Sequence, residues 1–126
     1  MEKAKVFDQH AENTEFSAKL DFYKDEIKIF KNRLEEIVSK NNQTECLSEL
    51  EKFQNQLIIQ RNIIDELKHK VNVDEDRLLD EIKKNEVAID HRSIENHSIE
   101  SEEMLSFEKN FHELRHDINL FFTKWM

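Results

Sequence analysis

The 126-residue sequence contains no glycine and no proline, and it has a single cysteine, Cys46. Glycine is needed where the backbone takes a positive φ or approaches a ligand closely, as in phosphate-binding loops, dinucleotide-binding turns, primed hairpin turns and nucleophile elbows. The composition therefore excludes those sites, together with collagen-like and Gly/Pro-rich disordered classes. The lone cysteine excludes an intrachain disulfide, and a reducing cytoplasm is the expected location.

Long apolar runs and an excess of basic residues are also missing. The longest apolar runs are three residues, as in Leu57-Ile58-Ile59, and no apolar core follows Met1, so we expect neither a membrane span nor an export signal. The chain has 28 acidic and 19 basic residues, for a net charge of −9. Nucleic acid and anionic membranes require a basic surface, so we expect neither as a partner. At this length a single domain over residues 1–126 is expected.

The sequence does contain three segments in which apolar residues recur at alternating spacings of three and four. We call these positions the seam of each segment. Such spacing predicts long α-helices that pack side by side. Residues interior to a seam, among them Phe30, Leu57, Phe111 and Leu114, are expected at the centre of the core. The first seam is Phe16, Leu20, Tyr23, Ile27, Phe30, Leu34 and Ile37; the second is Cys46, Leu50, Phe53, Leu57, Gln60, Ile64, Leu67 and Val71; the third is Met104, Phe107, Phe111, Leu114, Ile118, Phe121 and Trp125.

The predicted fold is all-α, an up-down-up bundle of three long antiparallel helices near residues 12–40, 43–84 and 91–125. The alternative is a four-helix up-down bundle with a break near Asn72-Val73-Asp74. The first turn is expected at Asn41-Asn42, because asparagine tolerates the left-handed conformation that ends helices. Asn42 and Glu45 also resemble a capping box. The second turn is expected at residues 85–90, with a cap from Asp90 or Ser93.

One string, His112-Glu113-Leu114-Arg115-His116, matches the H-E-x-x-H signature of zinc metallopeptidases. That chemistry needs a third ligand, yet only ten residues follow His116. The seam on either side also turns both histidines outward. We therefore expect two solvated histidines, no catalytic residues and no enzyme.

A pair of E-x-x-H units, ending at His69 and His116, is the kind of unit that di-iron bundles use. Here Leu67 and Leu114 hold the seam, so both histidines face outward. Helix register also places them about 15 Å apart along the axis. No di-iron site and no cofactor are expected.

Polar residues collect at one end of the predicted bundle. Extending the seams brings Asp74 into the second and His97 and Glu100 into the third, and the register places His97 level with residues 78 and 7. His10, Asp74, Glu75, His97 and Glu100 then approach one another, and imidazoles with carboxylates can bind Zn²⁺ or another divalent ion. The interpretation that we prefer is plainer: the bundle flares, or its seam moves to Leu79 and Ile82, and these groups lie in water. Between the two lies a structural hydrogen bond from His97 to Glu100 or Asp74.

Four apolar residues that no seam uses are Phe22, Ile29, Ile59 and Ile63. Register arithmetic places them in one groove of the first helix pair. The third helix carries its spare apolar residues, Leu105 and Phe122, on the flank that matches the other groove. The four residues are therefore expected to form an uncovered strip and to close a homodimer. The alternative is a wider core that buries them.

The expected function is a non-enzymatic interaction or scaffolding protein that binds itself or another helical protein through helix faces. The alternative is a small metal-binding bundle that uses the polar end. The segments LDFYKDEI, starting at Leu20, and FFTKWM, starting at Phe121, are similar to small all-helical bacterial proteins. That resemblance spans nearly the whole chain and carries no activity.

Overall fold

A computed structural model describes the backbone of residues 2–84 and 91–126 and the side chains of residues 7–83 and 97–126. It contains three helices, α1 (Glu2–Lys40), α2 (Thr44–Lys84) and α3 (His91–Trp125). All regular structure in the described backbone is helical, which confirms the all-α, three-helix fold. α1 begins ten residues earlier than the predicted start near residue 12. α2 continues through Asn72–Asp74, so the four-helix alternative is wrong.

The α1–α2 turn differs from its prediction in two details. No residue of the described backbone has a positive φ, so Asn41 ends α1 without the left-handed conformation. Its backbone N–H and its side-chain Nδ2 both donate to the Ile37 carbonyl, at 3.0 and 3.1 Å. At the start of α2, Leu47 N–H donates to the Gln43 carbonyl at 3.1 Å. Gln43 therefore takes the N-cap position predicted for Asn42. The expected break at residues 85–90 and the cap from Asp90 lie outside the described residues, as does the side chain of Ser93, whose backbone already forms the third residue of α3.

The core follows the three seams. Phe30, Leu57, Phe111 and Leu114 are all buried, as predicted. Phe16 and Trp125, at the ends of their seams, pack partly buried against the core. Full burial of an apolar side chain of this size contributes about 1.5–3 kcal/mol, so the seams supply the main driving force for packing. No helix in the described part of the chain is both long and apolar enough to cross a membrane.

Cross-helix ion pairs show how the helices run. Lys24 Nζ lies 2.9 Å from Asp65 Oδ1, and Asp21 pairs with Lys68, so residue numbers rise along α1 as they fall along α2. Lys70 Nζ lies 2.8 Å from Glu103 Oε2 and His97 Nδ1 lies 3.1 Å from Asp74 Oδ2, so α2 and α3 are antiparallel as well. His97 faces Asp74 and Glu12, where the turn positions predicted residues 78 and 7 at its level. At His97 the register therefore differs from the prediction by four to five residues, or about 6–7.5 Å.

The predicted apolar strip is wrong in its geometry, because α3 packs into the groove that we expected to be open. Ile63 packs partly buried against the core beside α3. Phe22, Ile29 and Ile59 remain exposed at 59%, 51% and 55%. α3 therefore separates the two residues on α1, Phe22 and Ile29, from the two on α2, Ile59 and Ile63. The four residues form no single strip. Phe122 is buried in the same groove, where it packs on Phe30. Homodimerisation stays a prediction.

Candidate functional site

Polar side chains occupy the seams at the α1 N-terminal end of the bundle. Past Val71 the α2 seam continues as Asp74 and Leu78, and the described side chains of α3 begin their seam with His97 and Glu100. Leu78 is 1% exposed and Leu79 is 43% exposed, so the seam keeps its phase. The preferred expectation of a flared or shifted end is wrong, because the heptad spacing carries the polar residues inward. The polar or charged residues buried among the described side chains are Gln9, Asn13, Asp74, His97 and Glu100.

We call Asp74, His97 and Glu100 the polar cluster. His97 is its centre, and each ring nitrogen faces a carboxylate. Nδ1 lies 3.1 Å from Asp74 Oδ2 and 3.4 Å from Glu100 Oε2. On the other side of the ring, Nε2 lies 2.9 Å from Glu12 Oε2. The ring also stacks on Phe16, with centroids 6.1 Å apart. The imidazole is therefore fixed in orientation by two helices besides its own.

The charge state of the cluster follows from these contacts. Hydrogen bonding to Asp74, followed by that to Glu100, outweighs the effect of burial and raises the pKa of His97 to about 10. Without a competing cation, His97 is protonated at neutral pH. Burial raises the pKa of Asp74, but hydrogen bonds from His97, Arg77 and Asn13 bring it below its ordinary value of 3.8. The protonated imidazole and the Asp74 carboxylate therefore stabilise each other's charged forms.

The oxygens of the two buried carboxylates are satisfied unequally. Asp74 Oδ1 accepts a hydrogen bond from Arg77 Nη2 at 2.8 Å, and Oδ2 accepts one from Asn13 Nδ2 at 3.1 Å. Glu100 is only 4% exposed, and its Oε2 faces His97 Nδ1 at 3.4 Å without forming a well-aligned hydrogen bond. A buried acceptor with so weak a donor is costly. Glu100 is therefore the least well satisfied member of the cluster.

His10 lies beside the polar cluster rather than in it. Its ring pairs with Glu75, and Asn13 Nδ2 donates to Glu75 Oε2 at 2.9 Å as well as to Asp74. The side chain of His10 is half exposed. Three of the four metal candidates named from the sequence therefore come together, and the fourth is connected only through Asn13. Sequence reasoning missed Glu12, Asn13 and Arg77, although extending the first seam backwards reaches Asn13.

A cavity of about 390 Å³ between α2 and α3 leads from solvent to the polar cluster. Asp74 and Glu100 line its inner side, and the exposed side chains of Val73 and Ile99 form apolar walls. Lys70 and Glu103 cross the mouth as an ion pair. The two buried carboxylates can therefore be reached from outside without unfolding a helix.

Further along the same pair of helices lies a longer surface feature, which we call the α2–α3 groove. It consists of two adjoining cavities that share Asn110. Isoleucines from both helices contribute apolar surface, and the rim is acidic. Its one basic residue, Lys70, is paired with Glu103. The isoleucines are Ile59, Ile63 and Ile99, and the acidic residues are Glu66, Glu102, Glu103, Glu113 and Asp117.

The H-E-x-x-H string does not form a site with the polar cluster. His112 and His116 are both exposed, as predicted. His112 Nε2 lies 3.3 Å from Tyr23 Oη, whose hydroxyl donates to Glu108 Oε2 at 2.8 Å. Burial, followed by the hydrogen bond to Glu108, raises the pKa of Tyr23 to about 12. Tyr23 is therefore a neutral hydrogen-bond donor that joins α1 to α3. The thiol of Cys46 is buried in the core, and burial raises its pKa, as befits a small apolar residue.

No protein-family model matches the chain, and neither a curated protein nor a solved structure matches it.

Proposed function

We propose that the protein is a non-enzymatic interaction protein whose α2–α3 groove binds a basic amphipathic helix of a partner protein. The observation that carries this proposal is the composition of the groove. Five acidic residues and one basic residue line it, together with three isoleucines. Ile59 and Ile99 are 55% and 54% exposed, which leaves apolar surface in water unless a partner covers it.

The dimensions of the groove suit a helix. On α2 it extends from Gln56 to Lys70, fifteen residues of helix that span about 21 Å. A partner helix of about four turns covers that length. Its apolar stripe would pack on the isoleucines, as in other helix-in-groove complexes, and flanking lysines or arginines would pair with the acidic rim.

Two glutamines give the groove hydrogen-bonding capacity. Gln56 and Gln60 line it, and the Oε1 atom of each is buried without a hydrogen-bond partner. Gln60 is also the one polar residue of the α2 seam between Cys46 and Val71. Rotation of either side chain toward the groove would present its Oε1 to a lysine or arginine of a bound helix, so basic residues would be favoured over an apolar helix of the same shape.

The charge of the whole chain supports a basic partner over a second copy. The net charge is −9, and a second copy would bring another acidic surface against the acidic groove. Complementary charge accelerates association and disfavours like-charged partners. Self-association is therefore the competing outcome of the test rather than the proposal.

The test uses a fluorescently labelled peptide of about fifteen residues with leucines at helical spacing and lysines elsewhere. Fluorescence anisotropy measures its binding to the full chain. Binding should weaken about tenfold in Glu113→Lys/Asp117→Lys and in Ile59→Asn, and it should fall as salt rises. The matched control, Glu35→Lys/Glu36→Lys, changes the same charge on exposed positions of α1 and should bind as the wild type does.

Three results would refute the proposal. The first is equal weakening by the control variant, and the second is equal binding of a peptide with glutamates in place of the lysines. The third is sedimentation equilibrium showing a wild-type dimer that Ile59→Asn converts to a monomer, which would make the second copy the occupant.

A further inference from the structure

The polar cluster places three potential metal-ligand atoms around one point. One ligand atom each from Asp74, His97 and Glu100 lies within 4.8 Å of the other two. His97 Nδ1 is 3.1 Å from Asp74 Oδ2 and 3.4 Å from Glu100 Oε2. Ligands at about 2.0–2.2 Å from a tetrahedral ion are separated by about 3.3–3.5 Å. The two distances from Nδ1 are thus close to the spacing that a small divalent ion requires, and the two oxygens lie within 4.8 Å of each other.

The second nitrogen of His97 is held as it is in metal-binding histidines. Nε2 lies 2.9 Å from Glu12 Oε2, so Glu12 accepts a hydrogen bond from Nε2–H and leaves Nδ1 as the atom for the metal. Such a carboxylate fixes the tautomer and makes the other ring nitrogen a better ligand. Arg77 plays a similar part for Asp74, because it holds Oδ1, while Oδ2, which also accepts from Asn13, is directed at Nδ1.

Glu100 supplies an independent observation that points to a ligand. The side chain is nine-tenths buried or more, and its Oε2 has no well-aligned hydrogen bond, only His97 Nδ1 at 3.4 Å. Glu100 lies close to His97 because the two residues are three positions apart on the same helix. A protonated imidazole shared between two carboxylates neutralises only part of their charge, whereas a divalent ion would neutralise both.

We propose that the polar cluster binds one divalent first-row transition-metal ion, with His97 Nδ1, Asp74 and Glu100 as ligands and Glu12 as the outer carboxylate. One imidazole and two carboxylates suit Zn²⁺ or Mn²⁺, whereas the all-oxygen sites of Ca²⁺ lack an imidazole. The cavity between α2 and α3 admits the ion and leaves a position for water. The site lies at the end of the α2–α3 groove and does not depend on the partner proposed for that groove.

The test uses untagged protein freed of metal with EDTA, titrated with ZnCl₂ by calorimetry and by competition with a chromophoric chelator. The wild type should bind one Zn²⁺ per chain. Glu100→Gln and Asp74→Asn should each weaken Zn²⁺ binding at least tenfold, and His97→Gln should abolish binding at the same concentrations. CaCl₂ should give no saturable binding. Circular dichroism verifies that each variant remains folded, and the three substitutions provide alternatives if one does not.

Two controls separate this site from adventitious binding. Glu103→Gln removes an acidic residue at the mouth of the same cavity and should leave Zn²⁺ affinity unchanged. His112→Gln/His116→Gln removes an exposed i, i+4 histidine pair, which is itself able to chelate Zn²⁺. Loss of binding in that double variant, with full binding in Glu100→Gln, would overturn the proposal. So would the absence of saturable Zn²⁺ and Mn²⁺ binding by the wild type.

Discussion

The two ends of this bundle use the same helical positions for opposite purposes. Toward the α1–α2 turn, seam residues such as Leu34, Ile37 and Cys46 are apolar and almost completely buried. At the other end, Asn13, Asp74 and His97 occupy the continuation of the same seams and are buried as well. Burial is therefore imposed by heptad position, and the chemistry of the residue decides what that burial costs.

The difference teaches how each end contributes to folding. Apolar seam residues gain free energy simply by leaving water. Buried ions have to recover their desolvation cost through close and well-aligned partners, so the polar cluster contributes little net stability unless it is complete. An intact polar end is consequently sensitive to the loss of a single member, while an apolar end loses free energy in proportion to the volume removed.

The largest effect is expected from breaking the polar end at its centre. In metal-free protein, His97→Leu should lower the free energy of unfolding by about 3–5 kcal/mol, because it leaves Asp74 and Glu100 buried without their common counter-charge. Chemical denaturation with urea measures the loss.

The control for this experiment is Asp74→Leu/His97→Leu/Glu100→Leu, which removes the charges together. Buried ion pairs replaced as a group by apolar residues are often neutral or stabilising by about 1–4 kcal/mol. A triple variant less stable than His97→Leu would contradict the mutual stabilisation of His97 with the two buried carboxylates.

At the apolar end, Leu57→Ala should cost about 2–5 kcal/mol, because Leu57 is 3% exposed and the change leaves a cavity in a packed seam. The m-value in urea should stay constant, since the surface exposed on unfolding hardly changes. Ile58→Ala, one residue later on the exposed face, is the matched control and should cost less than about 0.5 kcal/mol. Equal losses at the two positions would mean that the phase of the α2 seam is wrong.

The sequence predicted the helices and their buried faces well, because spacing alone determines which side of a helix is apolar. Phe30, Leu57 and Leu114 are buried for that reason. It also identified Asp74, His97 and Glu100 as neighbours, since a register error of one turn still leaves long polar side chains within reach. Their burial required α2 to continue as one helix past Asn72 with the same face toward the core. The local sequence does not determine this.

The flank taken by α3 could not be read from the sequence. Both grooves of the α1–α2 pair are bordered by similar seam residues. The apolar residues outside the seams gave only weak information about which groove α3 occupies. Phe122 was expected to match the other groove, but it packs on Phe30 and lies 5.8 Å below the guanidinium of Arg33. Leu105 remains 70% exposed. The choice depends on such pairwise packing across helices, which residue spacing does not encode.

A smaller effect is expected in how the contribution of each end to the free energy of unfolding depends on pH. The pKa of His97 is raised from 6.5 to about 10 in the folded chain, so the unfolded chain loses this proton first as pH rises. The stabilisation from His97 is complete below about pH 6.5, declines above it, and is lost as pH passes about 10. The slope is at most about 1.4 kcal/mol per pH unit for one proton. Denaturation of metal-free protein at several pH values should show this decline.

The control for the pH series is His97→Gln, whose stability should vary less between pH 6.5 and 10. Leu57→Ala should retain the wild-type slope, because the apolar end binds no proton in this range. A wild type whose stability is flat from pH 6.5 to 10 would show that the two carboxylates do not hold His97 protonated in the folded state.

The smallest effect is expected at the H-E-x-x-H string, which lies outside both ends. His116 is exposed, so His116→Gln should change the free energy of unfolding by less than about 0.5 kcal/mol. Leu114, two residues before it, is 7% exposed, and Leu114→Ala should cost about 2–5 kcal/mol. The two positions share a helix turn and differ only in the side that they face. Similar losses at both would place His116 in the packed interior and would reopen the question of a site at this string.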